Sequence, residues 1–181
     1  GAVLCCDLTG AVRWVRKEFV LPPGDDPASA RQYHARPLLH EGRLFVTQPG
    51  VRTVDCLHPT TGLLHWRQVL PDVERLLGIA GQSLVVQTAD GLVSLHPTSG
   101  QVLWSHAIGD LMVAHLGGGP GGLLVVQRVE FQSQPNALLP RLVWLDPATG
   151  RRTATWLLEK LAHVEPFLGP LVAHQERLWA L

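Results

Sequence analysis

LHPTTGLLHW, Leu57 to Trp66, returns almost unchanged as LHPTSGQVLW, Leu95 to Trp104, and the recurrence decides how the rest of the chain is read. LDPATGRRTA, Leu145 to Ala154, is a third copy, and CDLTGAVRW, Cys6 to Trp14, is a shorter fourth. Each part of the phrase has a mechanical reason. His58-Pro59, like Asp146-Pro147, ends a strand, because proline has no N–H for a ladder and its fixed φ suits the start of a turn. Thr60, Thr61, Thr98 and Ser99 bring hydroxyls that can cap turn amides. Gly10, Gly62, Gly100 and Gly150 supply either a positive φ or a bare backbone against which a flat group can lie. Trp14, Trp66 and Trp104 each follow their glycine by four residues, and an indole fills the wedge between two radially arranged sheets. A residue that recurs in unit after unit is what repeat packing demands, so these Trp read as structural and not catalytic.

Between the phrases lies a second recurring element, a turn followed by a short apolar run: GRLFVT from Gly42, QSLVVQT from Gln82, GLLVVQR from Gly122 and ERLWAL from Glu176. Short β-branched runs bounded by Gly, Pro and Asp are strands. In the clearest unit Val73 to Gly81 is a first strand, SLVVQTADG a second that ends at an Asp90-Gly91 hairpin turn, LVSLHPTSG a third and QVLWSHAI a fourth. Four antiparallel strands in about 40 residues is the period of a propeller blade. The unit before it is expected at Ala35 to His40, Arg43 to Thr47, Arg52 to Leu57 and Leu63 to Val69. The unit after it is expected at Leu111 to Leu116, Leu123 to Val129, Arg141 to Leu145 and Arg152 to Leu158. The fold class is therefore all-β, a propeller segment of four-stranded antiparallel blades at about 35–70, 71–109 and 110–160. A half-blade at 1–21 supplies outer strands and another at 167–181 supplies inner ones, with a loop at 22–34. Such a segment is expected to belong to a longer chain, its ring completed by the remainder of that chain or by a second copy. One stretch also fits a helical turn: TWLLEKLAHV, Thr155 to Val164, has leucines at helical spacing.

Composition bounds the chemistry. The 181 residues are 46% hydrophobic, with 15 basic and 15 acidic side chains that form no block, so no electrostatic footprint for nucleic acid is present. No apolar run reaches the roughly 20 residues that span a bilayer, which argues against direct membrane insertion by a helix. Cys5, Cys6 and Cys56 make no CxxC pair, and the nine His show no His-x-His or HExxH spacing, so no metal site is expected. There is no G-x-S-x-G elbow, and no catalytic residue is assigned. GGGPGG, Gly117 to Gly122, precedes a strand and lacks Lys-Ser/Thr, so it reads as a turn and not a phosphate cradle. Two insertions break the period: Pro22 to His34 reads as a surface loop between blades, and Glu130 to Pro140 lengthens the hairpin between the second and third strands of its blade; loops of this kind carry binding more often than packed strands do. Their candidate contact residues are Asp25, Asp26, Arg31, Tyr33 and His34 in the first, and Gln132, Gln134 and Asn136 in the second.

CLHPTTGLLHW and SLHPTSGQVLW resemble the tryptophan-docking motif of the quinoprotein-like (PQQ-like) propellers, A-x-D-x-x-T-G-x-x-x-W in outline. The resemblance runs over nearly the whole chain and implies blades locked by a Trp reaching across to its neighbour. Gly10 with Trp14, Gly62 with Trp66, Gly100 with Trp104 and Gly150 with Trp156 would then be the docking residues. Two copies put His58 and His96 where the motif has Asp, and the third puts Ala154 where Trp is expected, with Trp156 two residues on. The family includes dehydrogenases that hold pyrroloquinoline quinone and non-enzymatic members such as the BamB-like assembly lipoproteins. Cys5-Cys6-Asp7-Leu8 looks like the vicinal disulfide over the quinone in the dehydrogenases, so Cys5 and Cys6 are the cofactor candidates. The acidic residues are scattered and offer no calcium site. The expectation is a non-catalytic PQQ-like repeat scaffold for a protein or peptide partner in the bacterial, periplasmic or otherwise extracytoplasmic setting that the resemblance implies. One alternative is part of a PQQ- and calcium-dependent alcohol dehydrogenase. Another is a carbohydrate-binding propeller that uses exposed Trp144, Trp156 or Trp179, although Trp144, just before the motif's Leu-Asp, reads equally as a strand residue packing between sheets.

Overall fold

The computed structural model describes residues 2–17, 36–47, 52–109, 111–116, 122–131, 134–157, 171–174 and 177–180. Every regular element among them is a strand, and each strand pairs antiparallel with its sequence neighbour. The first complete blade is β3 (Leu38–His40), β4 (Arg43–Thr47), β5 (Thr53–Leu57) and β6 (Leu64–Val69). The second is β7 (Val73–Ala80), β8 (Ser83–Thr88), β9 (Gly91–Leu95) and β10 (Val102–Ala107). The third is β11 (Leu111–Leu116), β12 (Leu123–Phe131), β13 (Gln134–Leu145) and β14 (Arg152–Leu157). Before them stands the two-stranded sheet of β1 (Ala2–Cys6) and β2 (Val12–Lys17), and after them that of β15 (Leu171–His174) and β16 (Arg177–Ala180). The result is an open, partial propeller.

The middle strands explain why their sequences do not alternate. β8 and β9 are buried along their whole length, because the second blade is covered on both faces. Leu84, Val86, Val93 and Leu95 point toward the first blade and pack with Phe45, Val54 and Cys56. Val85 and Leu92 point the other way, against Leu123, Val125, Val143 and Leu145 of the third. A period of two with apolar residues in both phases reads as one continuous run. The fourth strands β2, β6 and β10 lie at the outside of the arc, and there the exposed and half-buried positions do alternate. The first strands line the inner side, where β7 touches β3 and β4 on one flank and β11 on the other.

Three local outcomes differ from the sequence reading. The first strand of the first blade begins at Leu38, since Pro37 has no amide to enter the ladder, and its third begins after Arg52, whose φ of 55° is left-handed. Thr155 to Leu157 of the helical alternative belong to β14, paired with Val143, Leu142 and Arg141; the rest of that stretch lies outside the described residues. The described residues of the insertion Glu130 to Pro140 lengthen the hairpin as strand and not as loop. They extend β12 and β13 into a long hairpin, with Arg128 opposite Pro140, Val129 opposite Leu139 and Glu130 opposite Leu138. Gln134 and Asn136 are therefore strand residues.

Candidate functional site

The recurring phrase builds one joint three times over. Trp14 leaves β2 and lies on Gly62 of the first blade, Trp66 leaves β6 and lies on Gly100 of the second, and Trp104 leaves β10 and lies on Gly150 of the third. A Cβ placed on Gly62, Gly100 or Gly150 would stand 2.6 to 2.8 Å from indole ring carbons. The three glycines also sit at φ of 70°, 73° and 69°, so each is required twice, for its backbone and for its bareness. The indole Nε1–H of Trp14 donates to the carbonyl of Pro59, that of Trp66 to Pro97 and that of Trp104 to Pro147, each at 2.9 Å. Within one phrase the glycine and the tryptophan are thus not partners. Each glycine receives the tryptophan of the preceding unit.

The turn beneath each joint is held from inside. Asp146 Oδ1 accepts the Ala148 amide at 2.8 Å, and Asp7 Oδ1 accepts the amides of Thr9 and Ala11 at 2.9 and 3.0 Å. The Thr9 hydroxyl and these amides hold the Asp7 carboxyl below its usual value, and the Ala148 amide with the Thr149 hydroxyl does the same for Asp146. Where the phrase has His, the ring nitrogen substitutes for the carboxylate oxygen. His58 Nδ1 accepts the Thr61 amide at 3.3 Å, and His96 Nδ1 accepts the Thr98 amide at 3.2 Å. The hydroxyls of Thr61, Ser99 and Thr149 accept the amides of Leu63, Gln101 and Arg151. The two phrase histidines are therefore turn residues.

The register explains the irregular third copy. Cys5 stands opposite Trp14, Cys56 opposite Trp66 and Ser94 opposite Trp104, a small residue across from the indole each time. In the third blade the pair is exchanged: Trp144 on the third strand stands opposite Ala154 on the fourth. Trp144 is accordingly 8% exposed, which corrects its place among exposed sugar-binding candidates. Trp156 does not lie on a phrase glycine among the described residues; it is 58% exposed and meets Trp144 edge-on, with ring centroids 4.8 Å apart. This exchange was readable in the sequence, since Cys5, Cys56, Ser94 and Trp144 all lie two residues before the Asp or His of their phrase.

Cys5 is thereby accounted for by packing. Its neighbour Cys6 is exposed, and both are free thiols. Three of the described carboxylates have structural roles. Asp7 and Asp146 hold turns, and Asp55, 1% exposed, receives both the Nε–H and an Nη–H of Arg67 at 2.8 and 2.6 Å, with Arg16 of β2 at 3.7 Å. No three His, Cys, Asp or Glu gather among the described residues. On the inner strands Gln87 accepts from Arg75 at 3.0 Å and donates to Glu74 at 2.7 Å, while Arg75 donates to the Ala114 carbonyl of the next blade at 3.3 Å. Burial, and then the charge of Arg75, push the His115 pKa down. This group bridges two blades and has the character of a second joint.

Asp25, Asp26, Arg31, Tyr33, His34 and Gln132 lie outside the described residues, and Trp179 is described only as a residue of β16. The position of the second insertion is clear from topology. The β12–β13 hairpin closes at the end of the sheet opposite the Asp146–Gly150 turn, because β13 runs from one to the other. Fastening turns and long hairpin thus occupy opposite rims of the third blade.

Comparison with known proteins agrees with this architecture. The family model described as Outer membrane protein assembly factor BamB matches residues 1–158. No curated protein matches the chain. Among solved structures, BamB from Moraxella catarrhalis is similar at 16% identity with a TM-score of 0.64, over 99% of this chain and 49% of that one. A quinohemoprotein alcohol dehydrogenase from Pseudomonas putida HK5 is similar at 17% identity and a TM-score of 0.50, over 68% of this chain and 20% of that one. The chain thus spans about half the length of the BamB structure it resembles.

Proposed function

Since the chain belongs to the family described as Outer membrane protein assembly factor BamB, we propose that it is a non-catalytic propeller scaffold that holds a protein or peptide partner. The observation that carries this reading is the β12–β13 hairpin. Its strands run 9 and 12 residues, against 6 and 5 for the equivalent β8 and β9. The additional length has no counterpart in the other two complete blades. An extended hairpin on the rim away from the joints offers additional strand edge to a partner. Gln134 and Asn136 are the proposed contact residues there, with Asp25, Asp26, Arg31, Tyr33 and His34 of the first insertion as further proposed contacts. The family likeness supports a bacterial, extracytoplasmic setting for that partner.

A variant in which residues 130–139 are replaced by the Asp-Gly turn of the second blade tests the proposal. Peptides selected from a display library on the full chain should bind the shortened variant at least tenfold more weakly, with the thermal transition preserved. Equal binding to both would overturn the hairpin as the contact. Saturable stabilisation by pyrroloquinoline quinone with calcium, accompanied by dye-linked alcohol oxidation, would overturn the scaffold reading itself.

A further inference from the structure

Two of the four phrase turns are held by an imidazole and two by a carboxylate, and a proton acts differently on the two kinds of acceptor. A neutral imidazole has one lone pair to offer. His58 uses it on the Thr61 amide and His96 on the Thr98 amide, both through Nδ1, at 3.3 and 3.2 Å, so the proton of each ring sits on Nε2. A proton added at Nδ1 turns the acceptor into a donor that faces an amide N–H, and the bond is lost. Asp7 and Asp146, whose values are depressed, remain charged and keep their bonds across the range of about pH 5 to 8 in which imidazoles ordinarily titrate.

The turns held in this way are the seats of the joints. Between His58 and Gly62 lies the Pro59 carbonyl that accepts the Trp14 indole, and Gly62 itself lies against that ring. The second turn offers Trp66 the Pro97 carbonyl and Gly100 in the same way. Of the three seated indoles, Trp104 is the one whose turn a carboxylate holds, from Asp146 to Gly150. An identical joint is thus built on two chemically different supports.

The groups around the first ring add repulsion once it is charged. His65 of β6 faces His58 with ring centroids 5.9 Å apart, and Arg43 of β4 stands beside His58 in register, one residue before Leu44, the partner of Leu57. His40 and Glu41 of the β3–β4 turn lie 3.7 Å from one another. β2, which brings Trp14 to this turn, carries Lys17 and also Arg13 and Arg16, which lie beside Asp7 and Asp55. At the second turn Ser83 has the register position of Arg43, and Leu103 the phrase position of His65. β6, which brings Trp66 there, carries His65 and also Arg67, held by Asp55.

We propose that the His58 and His96 turns are acid-released latches: protonation of the two imidazoles loosens the seats of Trp14 and Trp66, while Trp104 stays fastened through the Asp146 turn. The contribution of each ring is present while it is neutral and is lost as pH falls. The joints therefore loosen in a set order in mild acid, the first two before the third. The choice of His or Asp at one position of the phrase decides which joints respond.

Solvent exchange of the indole N–H groups, followed by nitrogen-edited NMR on the 181-residue chain, reads the three joints separately. Between about pH 7.5 and about pH 5.0 the protection of the Trp14 and Trp66 indoles, referred to free indole, should fall about threefold or more, and that of Trp104 should hold. His58→Asp should abolish the fall at Trp14 and leave it at Trp66, and His96→Asp should do the reverse. Both variants copy the residue of the Asp7 and Asp146 turns, so the fold is kept. Long-range proton–nitrogen spectra at the upper pH should place the proton of both rings on Nε2. No fall at Trp14 and Trp66, an equal fall at all three indoles, a fall that survives both substitutions, or ring protons on Nδ1 at the upper pH would overturn the proposal.

Discussion

Replacing Gly100 by Ala should destabilise the protein chiefly through a tryptophan 34 positions earlier in the chain, and the excess should vanish when that tryptophan is removed. Two effects add in the single variant. At a φ of 73° an L-residue costs about 1–2 kcal/mol, and the new methyl, 2.6 Å from Trp66 Cε3 and 2.7 Å from Cδ2, forces the ring off its seat for about 1–3 kcal/mol more. Trp66→Ala removes a half-buried indole packed against Phe45 and its bond to the Pro97 carbonyl, which costs about 3 kcal/mol. In the double variant the methyl meets open space, so only the backbone term adds. The cycle, measured by urea unfolding, should therefore show a coupling of about 1–3 kcal/mol. Trp66→Ala combined with Gly150→Ala is the control: Gly150 lies under Trp104, and those two changes should add to within about 0.5 kcal/mol. Additivity at Gly100, or coupling of Trp66 to Gly62 of its own phrase, would refute the joint as described.

The same register yields three further outcomes. Ser94 Oγ is buried without a partner in a slot that holds Cys5 and Cys56 in the other units, so Ser94→Cys should raise stability by about 1 kcal/mol in urea unfolding. Iodoacetamide followed by mass spectrometry should modify exposed Cys6 quickly and Cys56 last, because burial pushes the Cys56 thiol up to about 11. A raised thiol contributes stability that is intact below its ordinary value of 9.0 and lost as pH rises through about 11, so Cys56→Ala should flatten the alkaline limb of the melting profile. Asp7 and Asp146 have depressed values, so their contribution is present above 3.8 and fades as pH falls further. Asp146→Asn should remove part of that acid sensitivity in thermal melts.

The joints were legible because they rest on residues that repeat at fixed spacing, and repetition separates a packing rule from a chance motif. Gly62, Gly100, Trp66 and Trp104 announce themselves in this way. Their pairing was harder to see, since a phrase invites the reader to match the glycine and tryptophan within it, whereas the arc offsets them by one unit. Trp144, just before the Leu-Asp of its phrase, was legible as a packing strand residue, but only comparison with Cys56 and Ser94, whose slot it fills, shows that its partner across the strand is Ala154. The long hairpin was legible as a lengthened connection but not as strand, because Glu130 to Pro140 carries two prolines and polar side chains, the usual marks of a loop. It holds as a hairpin because β12 and β13 below it are already in register, and each added pair extends an existing ladder without a new nucleus.

This offset has a consequence for how the propeller tolerates change. Each indole belongs to one unit and its seat to the next, so a joint forms only when both units have folded, and stability is distributed over nearest-neighbour interfaces. The third blade shows the tolerance directly. Exchanging the large and small members of the Trp144–Ala154 pair keeps the volume across the strand while moving the ring from the fourth strand to the third, and the blade still seats Trp104 on Gly150 behind it. The face ahead is altered, since it now carries two indoles where its predecessors carry one. A joint with a different indole count is a joint with its own partner preference, and in a repeat array that is a direct way to keep units from docking out of order.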